Sequence, residues 1–225
     1  MKKNVKRLFV LLFLVTLSTH INAQNKVEPV KISSIPFPLT WENTPLDYKV
    51  EGTGISITAG EKTDIYTFID GNYYTNNVPK LLFKPDSNFI FSAKITPLFD
   101  SVYDGGAIIL YSDAENWAKL LLEKQDKKTF GLGASVVKNK KTDDSYHPIN
   151  SKEIYVKVAK SGKIFCFYSS TDGKAWNLVR TFSIDKTDSM KIGFYAQSPK
   201  GKSCKVNFTD IKYRGEAFKN FFTGE

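Results

Sequence analysis

The sequence predicts an all-β domain, either a sandwich or a barrel. Three observations carry that prediction. Short runs of alternating apolar and polar residues recur between turn signals. Aromatic residues are abundant, with 17 Phe, 11 Tyr and 3 Trp in 225 residues, and such side chains favour half-buried pleated surfaces. Pro36, Pro38, Pro45, Pro79, Pro85 and Pro97 punctuate the first half and disfavour long helices there.

The elements follow in order. Lys2, Lys3, Lys6 and Arg7 precede an apolar run from Leu8 to Leu17, and small residues then lead to a cut after Ala23. That is the pattern of a secretory signal peptide over residues 1–23. The run is shorter than the roughly 20 residues of a membrane-spanning helix. No Cys lies near the cut, which argues against a lipid anchor. The expectation is a secreted or periplasmic chain with no membrane span. Residues 24–33 read as a flexible lead-in, 34–215 as the β domain and 216–225 as a tail.

Within the β domain, "GISITAG", "FIFSAKITPLF", "GAIILYS", "TFGLGASVV", "MKIGFYAQS" and "VNFTDIKY" read as strands. In "FIFSAKI", Phe89, Phe91, Ala93 and Ile95 share one face. The Ser161-Gly162-Lys163 and Thr171-Asp172-Gly173-Lys174 stretches read as hairpin turns, with Gly supplying a positive φ. Phe218, Phe221 and Phe222 fall at helical spacing, so the tail is expected to form a short docking helix.

One stretch reads two ways. "SDAENWAKLLLEKQDKK", Ser112 to Lys128, has a capping-box spacing and strong helix formers. It also alternates, with Trp117, Lys119, Leu121 and Glu123 on one side. The strands before and after it favour a loop followed by a strand from Trp117 to Lys124.

Charge and rare residues exclude several classes. The leader holds four of the 32 basic residues, leaving 28 against 23 acidic ones, net +5. The densest basic cluster, Lys138, Lys140 and Lys141, reads as a solvated loop, so no nucleic-acid partner is expected. Cys166 and Cys204 are either two buried thiols or one bridge. His147 is the one histidine beyond the leader, so a His-based metal site or a Ser/His/Asp triad would rest on it alone.

"YYTNNVPKLLF", "YDGGAIILYSDAENWAKLLLE", "YSSTDGKAWNLVRTF" and "IGFYAQSPKGKSCKVNFTDIKY" occur in this order. Together they resemble the concanavalin A-like family often labelled "regulation of enolase protein", whose biochemical role is largely undefined. The chain is also similar to the β-sandwich domain appended to family 43 beta-xylosidases. The resemblance spans about residues 36–215 and implies a jelly-roll sandwich of two antiparallel sheets, one of them concave. In related folds that concave surface often holds carbohydrate. The family pattern matches Asp104, then Asn116, Trp117, Lys119 and Glu123, and later Arg180. It departs at "TDDSYHP", where Asp144 and Tyr146 only approximate it, and at Gly105.

These residues define an expected ligand face. Trp117, Lys119 and Glu123 would offer an indole platform beside a cation and a carboxylate. Asp104, Tyr111, Asp144, Tyr146, His147 and Arg180 would complete it from neighbouring strands. Sugar C–H faces stack on aromatics, and sugar hydroxyls need both donors and acceptors. The expected function is non-catalytic recognition of a glycan or similar polyhydroxylated ligand. The alternatives are a glycoside hydrolase-like enzyme and a cell-envelope interaction module. A glycosidase needs two carboxyls about 5–9.5 Å apart, and the clustered acids of active sandwich hydrolases do not occur here. No cofactor is expected. A structural calcium between Glu42 and Asp210 is an option, and it would need about six to eight oxygens.

Overall fold

The computed structural model describes residues 28–225. The leader expected at residues 1–23 lies outside the described residues. In chain order the strands are β1 (Thr40–Glu42), β2 (Asp47–Glu51), β3 (Gly54–Gly60), β4 (Ile65–Thr67), β5 (Tyr74–Asn76), β6 (Lys80–Phe83), β7 (Phe89–Leu98) and β8 (Gly105–Asp113). There follow β9 (Asn116–Lys124), β10 (Phe130–Lys138), β11 (Lys141–Ile149), β12 (Ile154–Ser161), β13 (Ile164–Ser170), β14 (Asn177–Phe182), β15 (Lys191–Gln197) and β16 (Ser203–Arg214).

Two seven-stranded antiparallel sheets form a sandwich. Sheet 1 runs β1-β6-β15-β8-β9-β10-β11 and sheet 2 runs β14-β13-β12-β7-β16-β3-β2. Between them, Phe89, Phe91, Ala93 and Ile95 of β7 share one buried cluster with Ile108, Leu110, Leu120, Leu122 and Phe194 of sheet 1. Period-2 alternation sends the intervening side chains to the outer faces.

The ambiguous stretch is a strand. β9 pairs with β8 on one side and β10 on the other, with Leu121 opposite both Ala107 and Gly133. Its helical look has a physical cause. β4 and β5 form a hairpin, here called the flap, that lies over the outer face of sheet 1. Ile65 and Val78 pack there against Leu82, Ile109, Trp117 and Leu121. Both faces of β9 are therefore buried, and the apolar run loses its alternation.

Two expectations change, and two others become definite. Val30 and Ile32 are buried and Val30 bridges to Leu39, so the described part of the lead-in is packed against the core. The tail forms turns rather than a helix, although it does dock: Phe218 packs beside Tyr168, whose hydroxyl donates to Phe221 O at 2.8 Å. Lys138 to Lys141 is a hairpin corner, with Asn139 and Lys140 at φ 49° and 63°, the signature of a type I′ turn. The cysteines are two free buried thiols. No described helix is long and apolar enough to cross a membrane.

Candidate functional site

A pocket of about 370 Å³ opens on the outer face of sheet 1, between the flap and the strand ends. β9 contributes Lys119 and Glu123, and β11 contributes Tyr146. The flap and its approach contribute Asp64, Tyr66 and Tyr73. Tyr103, Gln197, Pro199 and Lys200 complete the wall.

The floor is charged and nearly dry. Lys119 is 3% exposed and Glu123 5%, and ionised groups are rarely so buried without partners. Lys119 Nζ donates to Ile65 O at 2.6 Å. It also lies 5.4 Å from the Trp117 ring centroid, 5.5 Å from Tyr66 and 6.0 Å from Tyr195, distances at which ring faces attract a cation. Burial pushes the Lys119 pKa down, while Asp64, Glu123 and Asp144 pull it back up. Glu123 Oε1 accepts from the Tyr146 hydroxyl at 3.0 Å and Oε2 from Gln197 Nε2 at 3.2 Å. Burial still dominates and raises its pKa to about 7. Burial likewise raises Asp64, against the pull of Lys119.

One buried polar atom of the pocket wall lacks a partner, Gln197 Oε1, and behind the wall the fully buried Tyr195 hydroxyl and Trp117 Nε1 lack one as well. Buried polar groups are nearly always bonded, so the orphan on the wall marks a place where a ligand or water fits. Tyr103 adds a second anomaly. It holds φ at 68° while its carbonyl accepts from Gln197 Nε2 at 2.9 Å. A bulky residue in the left-handed region carries strain, and strain of this kind clusters at functional sites. Gly133 makes room for the Tyr146 ring, since a Cβ there would come within 3.2 Å of it.

The structure brings Lys119, Glu123 and Tyr146 together and distributes the other expected residues elsewhere. Trp117 is fully buried beneath the flap, which corrects its expected role as an open platform; its indole supports Lys119 from below. Asp104 is buried in a loop. Its carboxylate accepts from Asp100 N, Ser101 N and the Ser198 hydroxyl at 3.0, 2.7 and 2.7 Å, which fixes the turn before Gln197's neighbour strand. Tyr111 accepts from Asn76 Nδ2 at 2.9 Å and lies over Lys80 away from the pocket; burial raises its hydroxyl to about 12. Asp144 sits outside the pocket and accepts from the Tyr66 hydroxyl at 3.2 Å. His147 alternates with Tyr146 and is exposed on the other side of β11. Arg180 laces the two sheets together through Ala134 O, Asp143 O and the Asp143 carboxylate.

The calcium expectation is corrected too. Glu42 pairs with Lys80 at 3.2 Å, and Asp210 accepts from Tyr155 at 3.0 Å on the opposite side of the sandwich. Among the described residues no three His, Cys, Asp or Glu side chains converge as a metal site.

Sequence reasoning missed Asp64, Tyr66, Tyr103, Tyr195 and Gln197. One signal was present: in "GFYAQS" the alternation that sends Phe194 inward sends Tyr195 and Gln197 to the same outer face as Lys119. The flap residues carry no such signal, because only the fold lays them over β9.

Comparison with known proteins places the chain. The family described as "Protein of unknown function (DUF1349)" matches residues 41–216. "Regulation of enolase protein 1" of Saccharomyces cerevisiae is 25% identical over 173 residues, which is 76% of this chain and 86% of that protein. A crystal structure of a functionally unknown Saccharomyces cerevisiae protein superposes with a TM-score of 0.73 at 23% identity, covering 79% of this chain and 96% of the other. A xylan beta-1,4-xylosidase from Bacillus halodurans superposes with a TM-score of 0.55 at 15% identity. That match covers 73% of this chain but only 33% of the xylosidase, so the likeness is one of fold to part of an enzyme.

Proposed function

This chain belongs to the DUF1349 family of proteins of unknown function, and from the chemistry of its pocket we propose that it is an exported, non-catalytic carbohydrate-recognition module. The observation that supports this most is the coincidence of an unpartnered buried amide oxygen, Gln197 Oε1, with a tyrosine-rich wall. Tyr66, Tyr73, Tyr103 and Tyr146 offer ring faces to sugar C–H groups. Gln197 Oε1 and Glu123 accept hydroxyl protons. Lys119 keeps N–H groups beyond the one spent on Ile65 O. A polyhydroxylated ring satisfies all of these together.

The test is a glycan array followed by calorimetric titration. Gln197→Ala is expected to weaken binding about tenfold, the worth of one or two buried hydrogen bonds. Binding to no glycan at millimolar concentration overturns the reading. Export is tested by N-terminal sequencing of the cell-envelope or secreted fraction, which should begin near Gln24.

One observation favours a second reading. Glu123, raised to about 7, shares the pocket with Asp64, also raised, and two such carboxyls are what glycoside hydrolysis requires. Turnover of xylo-oligosaccharides that disappears in Glu123→Gln would establish an enzyme in place of a binding module.

A further inference from the structure

Four tyrosines line the pocket, and three of them are engaged by the protein itself. The Tyr66 hydroxyl donates to Asp144 at 3.2 Å, Tyr73 to Asp64 at 3.5 Å and Tyr146 to Glu123 at 3.0 Å. The Tyr66 ring also lies 5.5 Å from Lys119 Nζ and 6.2 Å from the Tyr73 ring. Tyr103 differs. Its backbone is gripped on both sides: its N–H donates to Lys124 O at 2.7 Å, and its carbonyl accepts from Gln197 Nε2 at 2.9 Å. Its side chain is 42% exposed at the pocket wall and enters no hydrogen bond, aromatic pair or cation–π contact among the described residues.

We propose that Tyr103 is the specificity-determining residue of the pocket, a platform held in a strained loop so that its free ring stacks on the C–H face of a pyranose. This inference rests on the carbohydrate reading and adds the class of ligand and the residue that selects it. It moves the platform role expected of Trp117 to a residue that a ligand can reach.

Three features support it. The first is the residue type. The other described non-glycine residues at positive φ are Asn43, Lys62, Asn139, Lys140 and Asp210. Asn and Asp tolerate the left-handed region, and both lysines sit in turns. A tyrosine at φ 68° is the costly exception, and Gly or Asn would serve the backbone better. The fold gives no reason for an aromatic there, whereas a ring aimed at a ligand does. The second feature is anchorage. Asp104 Oδ2 accepts from Asp100 N and Ser101 N, and Oδ1 accepts from the Ser198 hydroxyl. The Ser198 bond ties the loop carrying Tyr103 to the loop carrying Pro199 and Lys200, which line the same pocket. Gly201 lets the two loops meet, since a Cβ there would come within 2.9 Å of Ser101 Cβ. A platform fixed before the ligand arrives loses little freedom on binding. The third feature is the Gln197 amide. Its Nε2 holds the Tyr103 carbonyl, and its Oε1 is the unpartnered acceptor of the wall. One side chain thus couples the platform to a hydroxyl acceptor, and a pyranose stacked on Tyr103 has hydroxyls at its rim to offer that oxygen.

The experiment pairs thermal melts with calorimetric titration of xylohexaose and cellohexaose, whose hydroxyls are all equatorial and whose C–H faces are therefore bare. The proteins are the wild type, Tyr103→Gly and Tyr103→Phe. Tyr103→Gly relieves the strain and removes the ring. Its melting temperature should hold or rise by about 2–4 °C, while affinity falls about tenfold. Tyr103→Phe keeps the ring and should lose less than threefold. Wild-type affinity in Tyr103→Gly overturns the platform and leaves the carbohydrate reading standing. A melting temperature several degrees below wild type in Tyr103→Gly makes Tyr103 a structural residue and overturns the inference. A loss in Tyr103→Phe as large as in Tyr103→Gly assigns the contact to the hydroxyl and overturns it as well. A wild type that binds neither probe also overturns it, and the glycan array then judges the carbohydrate reading on its own.

Discussion

The two outer faces of the sandwich each bury a lysine under a covering segment, and they finish the job differently. On sheet 1, Lys119 lies under the flap; on sheet 2, Lys157 lies under the C-terminal tail. Lys157 Nζ donates to Thr223 O at 3.0 Å and to the Glu225 carboxylate, and it sits 4.1 Å from the Trp176 ring centroid. Its partners come from the segment that covers it, and none of the orphaned buried polar atoms among the described residues lies beside it. Lys119 takes only a carbonyl from its cover. Its carboxylate neighbours are held by other groups, and the Tyr195 hydroxyl and Gln197 Oε1 beside it are left without partners. Both lysines border a cavity, of about 370 Å³ at Lys119 and about 600 Å³ at Lys157, but the chain completes the hydrogen bonds around Lys157 and leaves those around Lys119 incomplete. A buried charge is thus no sign of function by itself; an incomplete hydrogen-bond inventory around it is.

The largest test of this contrast is to remove each cation. Lys119→Met leaves Glu123 and Asp64 buried without a counter-charge, so it should cost about 3–5 kcal/mol. Lys157→Met leaves behind a Glu225 that is half-exposed and a thioether that packs on Trp176, so the cost should be no more than about 1 kcal/mol. Urea denaturation of both variants measures the difference, and equal losses would break the comparison. Glycan binding, where found, should vanish in Lys119→Met and persist in Lys157→Met.

The two faces should also answer pH in opposite directions. Burial raises Glu123 from 4.5 to about 7, so the folded state holds a proton that the unfolded chain gives up. That contribution is fully present below about pH 4.5 and is lost as pH rises through about 7, a swing of about 3 kcal/mol. Asp64, raised for the same reason, acts in the same sense at lower pH. On the tail side Glu225 is lowered by Lys157 and Arg214 despite its partial burial. Its contribution is present above about pH 4.5 and lost as pH falls. Stability measured from pH 3 to pH 9 should therefore peak in mildly acidic solution. Glu123→Gln should flatten the alkaline limb and leave the acid limb in place.

Much of the sandwich is legible in the sequence, and the reason is the outer solvent. "GISITAG" alternates because one face meets the core while the other is wetter. "FIFSAKI" keeps Phe89, Phe91, Ala93 and Ile95 on the core face although Ile90 and Ser92 opposite are buried too, and the structure reproduces both strands within a residue or so. Where a covering segment buries the outer face as well, as over β9, the alternation disappears and local propensity suggests a helix instead. The site was legible only in part for a related reason. Lys119 and Glu123 stand out as charges within an apolar strand, and their shared face follows from spacing alone. Trp117 follows from the same spacing, but its depth depends on the flap, which no periodicity announces. Asp104 and Arg180 were drawn in by family pattern rather than by geometry, and both turn out to tie loops and sheets together. Of the tail's three phenylalanines, Phe218 keeps its apolar docking role without the helix by packing beside Tyr168, while the Phe221 and Phe222 rings stay exposed.

The smallest effect is the most diagnostic. Tyr195 and Tyr168 are both fully buried, one on each side of the sandwich. The Tyr168 hydroxyl donates to Phe221 O at 2.8 Å, whereas the Tyr195 hydroxyl has no partner. Tyr168→Phe removes a made hydrogen bond and strands a carbonyl of the tail, so it should cost about 1 kcal/mol. Tyr195→Phe removes an oxygen that was buried without compensation, so the unliganded protein should be unchanged or more stable by about 1 kcal/mol. Thermal melts with and without a bound glycan separate the two cases. The Tyr195→Phe variant should hold or gain melting temperature alone, and added ligand should raise it as much as it raises the wild type, because the hydroxyl lies behind the pocket wall. A loss of stability in the unliganded variant would mean that the hydroxyl already has a partner within the fold, and the two faces would then be alike.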